Sequence, residues 1–174
     1  MAVALSGLAL AVSSWVWAPA GQAGDRGHEE GIMCTGDSES AYDPPLTLTS
    51  RPTRIHVHAR YGCTVAPGRT VPAEGTLEAT SPGTSCLTFG TSTHAEERVT
   101  YADGRRSVIV YDRGTTVRIA GVQFVRLSGR VVEGRGAGHA AERTVPARSG
   151  ELPTECLSSG LPGSEGSALL EVRP

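Results

Sequence analysis

Ile55-His56-Val57-His58-Ala59-Arg60-Tyr61-Gly62-Cys63-Thr64-Val65 alternates without a break. Ile55, Val57, Ala59, Tyr61, Cys63 and Val65 fall on one face, and His56, His58, Arg60, Gly62 and Thr64 on the other. Period two marks a strand with one face on a core and the other in water. The same pattern returns downstream. Val99 to Tyr101, the Asp103-Gly104 turn and Ser107 to Tyr111 read as a hairpin. Val117 to Ile119, Ala120-Gly121 and Val122 to Val132 read as a second. In its return strand Val125, Leu127, Gly129 and Val131 face one way, and Phe124, Arg126, Ser128 and Arg130 the other. Weaker strands are expected at Leu46 to Thr49, Gly75 to Thr80, Cys86 to Thr91, Ala140 to Val145 and Ala168 to Val172.

Beyond the first segment, Gly and Pro interrupt every candidate helix, and no stretch of ten residues carries apolar i, i+3, i+4 spacing. The expected class is all-β: an antiparallel β-barrel of about eight to ten short strands, with a two-sheet β-sandwich as the alternative. Few charges stand inside strands to protect an edge, which favours the closed form.

Met1 to Val16 is uncharged and rich in Ala, Val and Leu, and it leads to small residues at Gly21 and Ala23. This reads as a signal peptide over 1–23 with cleavage after Ala23, although the basic start of such a segment is missing. A retained anchor is the competing reading. Residues 24–30 read as a flexible tail, containing the solvated cluster His28-Glu29-Glu30, and 31–174 as one β domain. The expected location is extracellular, with no membrane span once the first segment is removed.

Cys34, Cys63, Cys86 and Cys156 all lie beyond that segment. An even count in an exported chain reads as two disulfides. There is no C-x-x-C and no zinc-ligand spacing. Of the three pairings, Cys34–Cys63 with Cys86–Cys156 is preferred. Pro44-Pro45 and Thr49-Ser50-Arg51-Pro52 let the chain between the first two cysteines fold back.

Cys34-Thr35-Gly36, Leu46-Thr47-Leu48-Thr49, Tyr101 to Ser107, Ser128 to Gly138 and Cys156-Leu157 with the final strand carry a resemblance. They are similar to uncharacterised small exported β-rich proteins of Streptomyces-like actinobacteria. In that group the hairpin usually carries Trp where this chain has Tyr101, and an aromatic stands near the position of Gly136. The resemblance implies export and a β-rich fold and supplies no catalytic residues. The Gly134 to Gly138 turn alone resembles allene-oxide-cyclase-like and dirigent-like barrels.

The chain has 174 residues and a net charge of −2. That total hides segregation. Residues 25–43 carry six acids and one Arg, a net of −5, and 44–97 carry four of each sign. Residues 98–148 carry ten Arg against four acids, a net of +6, and 151–174 four Glu against one Arg, a net of −3. Near neutrality argues against nucleic acid as a partner. All sixteen cations are Arg and there is no Lys, which excludes Schiff-base and P-loop chemistry.

Arg118, Arg126 and Arg130 share strand parity and could form an anion-binding stripe, since Arg grips carboxylate, sulfate or phosphate bidentately. Acidic ends lying over a basic sheet would explain the same charges. His56 and His58 stand on one side of a strand, weak metal candidates that need a third ligand, with His94 and Glu96 the nearest by sequence. Their simpler role is a polar outer row. Gly134, Gly136 and Gly138 lack the context of a dinucleotide fingerprint and read as a loop. No G-x-S-x-G is present, so no catalytic residues and no cofactor are assigned. Trp15 and Trp17 lie in the removed segment, which leaves few aromatics for a sugar platform.

These features favour a non-catalytic extracellular binding or interaction module, with an unknown protein or small ligand as partner. A ligand carrier or enzyme using the barrel interior stays open. So does an inhibitor of extracellular hydrolases, with Pro82-Gly83-Thr84-Ser85-Cys86 as its exposed loop. Buried polar groups beside an open cavity would favour the carrier or enzyme; a filled interior would favour the interaction module.

Overall fold

The computed structural model describes residues 31–88, 94–119, 122–146 and 154–174, with the backbone alone for 118, 119, 122 and 123. The proposed signal peptide and tail lie outside them. The described residues form eight strands: β1 (Ile32–Leu46), β2 (Arg51–Ala66), β3 (Arg69–Thr84), β4 (Ala95–Tyr101), β5 (Arg106–Ile119), β6 (Val122–Gly134), β7 (Ala140–Pro146) and β8 (Leu161–Arg173). Each pairs antiparallel with the next, and β8 closes onto β1. The sheet is a closed barrel, and a sandwich is ruled out. Closure gives every strand two neighbours, so none is left as an edge.

The alternation read from β2 holds. Tyr61 and Cys63 are buried and His56, His58 and Arg60 are exposed. The expected hairpins are β4–β5, where Gly104 turns the chain at φ 83°, and β5–β6, whose pairing runs to Ile119 opposite Val122. Strands are longer than expected, up to 16 residues. Two weak assignments fail. Of Leu46 to Thr49 only Leu46 belongs to a strand, because the Thr47 carbonyl turns away to accept the Cys86 amide at 2.9 Å. Cys86 to Thr88 is a turn closed on the Ser85 hydroxyl, and 89–91 lie outside the described residues.

β1 was hidden in the sequence. Its inward positions include Ser38, Ser40 and Tyr42, polar because they line a cavity rather than the packed core. One half of the barrel is filled by Cys34, Cys63, Val99, Tyr101, Ile109, Val131, Leu170 and Val172. The other half, toward the β1–β2, β3–β4, β5–β6 and β7–β8 connections, carries smaller inward groups and leaves space.

Both disulfides have the preferred pairing. Cys34–Cys63 joins directly paired residues of β1 and β2 in the filled half. Cys86–Cys156 ties the β3–β4 connection to a short 3-10 turn, Thr154–Leu157, between β7 and β8 at the cavity end. They close loops of sequence separation 29 and 70. Each should stabilise by roughly 3–4 kcal/mol on loop entropy. Replacing Cys86 and Cys156 by Ser should therefore cost about 0.8 kcal/mol more than replacing Cys34 and Cys63, the longer loop releasing more entropy. Urea unfolding of the two double variants measures the difference.

Candidate functional site

Two short strands each place a charge on the inward face. Ala95, Glu97, Val99 and Tyr101 share parity in β4, and Ala141, Arg143 and Val145 share it in β7. Glu97 is fully buried and Arg143 is 3% exposed. They meet inside the barrel: Arg143 Nη1 donates to Glu97 Oε1 at 2.6 Å. Tyr61 of β2 donates to the same oxygen at 2.9 Å, and Tyr111 of β5 donates to Oε2 at 2.6 Å. Arg143 Nη1 also donates to the Tyr61 hydroxyl oxygen. Four strands thus converge on one carboxylate, whose oxygens are supplied with three donors.

The energetics follow from burial. An isolated ion in this interior would be far too costly, and pairing with additional hydrogen bonds makes it tolerable. Burial, and then the Glu97 charge, push the hydroxyl pKa of Tyr61 and Tyr111 far up, so both stay neutral donors. Burial opposes the charge on Arg143, but Glu97 and the tyrosines outweigh it and raise its pKa. Gly75 of β3 makes room: a Cβ there would lie 2.8 Å from the Tyr61 ring and 2.9 Å from Glu97 Oε1.

Of the four, Arg143 lines a cavity of about 150 Å³. Ile55, Val57, Leu77, Val125, Leu127 and Val145 form much of its apolar wall. Arg143 reaches it from below, and Ser38, Ser40, Tyr42, Thr84 and Ser164 add hydroxyls. Tyr42 and Ser164 pair with each other at 2.7 Å, and Ser38 reaches the Gly166 carbonyl at 3.5 Å. Two buried polar atoms of the lining have no hydrogen-bond partner among the described residues: Arg143 Nη2 and Thr84 Oγ1. Exposed Thr115, Thr116 and Pro146 also line the cavity, so it reaches the surface.

The residues singled out from the sequence lie elsewhere. His56 and His58 are on the outer face; His56 stands across from Glu78 and His58 across from Glu39, with His58 Nδ1 3.3 Å from the Gly75 carbonyl. His94 and Glu96 border the same surface groove as His56. Among the described residues no group of three or more His, Cys, Asp or Glu is arranged to hold a metal. Arg126 and Arg130 are on the outer face of β6. Arg126 is 3.2 Å from Glu142, which Arg173 also approaches at 3.4 Å, so acids interleave with this part of the row. Arg130 is exposed, and the Arg118 side chain lies outside the described residues. Thr84 and Ser85 are buried, so Pro82 to Cys86 is not the exposed loop that an inhibitor would present.

Sequence reasoning missed Glu97, Arg143 and Tyr111 as a site. The available signal was parity: one acid and one base, each on the apolar face of a strand. Gly134, Gly136 and Gly138 form a turn as expected, with φ of 85°, 76° and 90°. That turn carries Arg135, whose guanidinium lies 4.5 Å from the Tyr101 ring centroid and 2.5 Å from Asp103, closing the filled end. Set against family models, curated proteins and solved structures, the chain gives no match.

Arg143→Ala should destabilise the fold by about 3–5 kcal/mol, since it strands the Glu97 charge in the interior. Glu97→Gln with Arg143→Met removes both charges, keeps an acceptor for the tyrosines, and should lose less than half of that in the same urea titration.

The Arg135 hydrogen bond holds the Asp103 carboxyl below its ordinary value of 3.8. Its contribution is therefore complete above pH 3.8 and fades as pH falls through the lowered value. Asp103→Asn should melt below wild type from pH 5 to 7, with the gap closing under acid; an equal gap at every pH would remove the ion pair as its cause.

Proposed function

We propose that this protein is a non-catalytic extracellular binding module that takes a small, mostly apolar molecule into the barrel. The observation that carries the reading is an apolar-walled cavity opening to the surface above buried polar groups. Eight-stranded barrels are just wide enough either to fill with side chains or to hold one small ligand. Here one half does the first and the other half has room for the second. A cavity near 150 Å³ with such walls accommodates about one six-membered ring.

The buried quartet supports binding over catalysis. Both tyrosine hydroxyls already donate to Glu97, and Glu97 has three donors, so no member is poised as a free base. Export to an oxidising compartment is supported by the leading segment and by the two disulfides, which are consistent with such a compartment.

A ligand that binds only the folded barrel raises its melting temperature by mass action. Ethylbenzene at saturation should raise the melting temperature of the oxidised protein. It should leave Ala79→Phe, in which a phenyl group occupies the cavity, unmoved. Equal shifts in both proteins would place binding outside the barrel.

A further inference from the structure

The chemistry of the cavity floor narrows the ligand class; this step rests on the carrier reading above. Arg143 spends Nη1 on Glu97 and Tyr61, while Nη2, in a residue 3% exposed, has no partner among the described residues. A buried N–H without an acceptor loses its hydration and gains nothing in return. Thr84 Oγ1, in a residue 1% exposed, is a second unpaired polar atom on the same cavity. The lining therefore offers a bound molecule one strong unpaired donor and one buried unpaired hydroxyl.

The charge around that donor selects among acceptors. Arg143 is already matched by Glu97 at 2.6 Å, and Tyr61 and Tyr111 are held neutral, so the buried cluster has no net charge. The other residue of the lining with a formal charge is Glu165, an acid. A carboxylate entering here would add an uncompensated negative charge beside one carboxylate and near a second. An uncharged oxygen would satisfy Nη2 without that cost.

We infer that the barrel selects an uncharged, ring-sized apolar molecule carrying a carbonyl or ether oxygen, which accepts from Arg143 Nη2 while the ring packs against Val57, Leu77, Leu127 and Val145. With no Lys in the chain, no lysine amine is available to trap a carbonyl as a Schiff base.

Calorimetric titration of the oxidised protein with acetophenone, ethylbenzene and benzoate tests this. The three share a ring and differ in the polar end. Acetophenone should bind about tenfold or more tightly than ethylbenzene, the return expected of a hydrogen bond to a charged donor. Benzoate should bind more weakly than acetophenone. In Glu97→Gln with Arg143→Met the preference for acetophenone over ethylbenzene should collapse toward one while ethylbenzene still binds. Equal affinity of acetophenone and ethylbenzene for wild type would overturn the role of Nη2 and leave the carrier reading standing. Benzoate as the tightest ligand would overturn the choice of a neutral acceptor. Binding of none of the three would overturn the carrier reading itself. The wild-type series decides these outcomes even if the double variant does not fold.

Discussion

The buried ion pair between Glu97 and Arg143 is the constraint around which the interior is arranged. A guanidinium and a carboxylate at this depth persist only if each is paired and hydrogen-bonded. That requirement fixes the rest. Tyr61 and Tyr111 must direct their hydroxyls to Glu97. Position 75 must be glycine-sized to admit the Tyr61 ring and the Glu97 carboxylate. Below this layer Tyr101, Ile109, Val131 and Leu170 complete a close-packed plug; on its other side Arg143 reaches the cavity. Arg143 thus belongs both to the buried ion pair and to the cavity lining.

Closure supplies the second constraint. With β8 paired to β1, each strand is held on both sides, and a strand can carry unfavourable inward residues without fraying. β1 and β8 do so where they face the cavity, with Ser38, Ser40, Ser164 and Gly166 instead of large apolar groups. Space in one half is therefore a consequence of small side chains on a frame secured elsewhere. The two disulfides lie at the two levels of that frame: Cys34–Cys63 within the plug, and Cys86–Cys156 among the connections at the cavity end.

Much of the fold was legible along the chain because core-facing strands keep strict alternation. β2 is the clearest case: each inward residue from Ile55 to Val65 is apolar or nearly so. β1 was not legible, because its inward Ser38 and Ser40 carry the same polarity as its outward Asp37 and Glu39. Polarity stops reporting direction where a strand faces a hydroxyl-lined cavity. The candidate site was less legible for a related reason. Glu96-Glu97-Arg98 reads as a run of surface charge, and only the parity shared by Glu97 with Ala95 and Val99 marks it as internal. The histidine pair drew attention as a residue type with chemistry, yet its alternation already placed it outside.

The sequence by itself determined the all-β class, the cysteines available for bridging, the exposed side of β2 and the hairpin turns. Each of these depends on residues near one another along the chain, where period two and turn propensity act. Only the tertiary structure decided that the sheet closes, that Glu97 of β4 reaches Arg143 of β7, and that half of the interior stays open. Those outcomes depend on which strands face one another across the barrel, and a distance through the interior leaves no mark on local spacing.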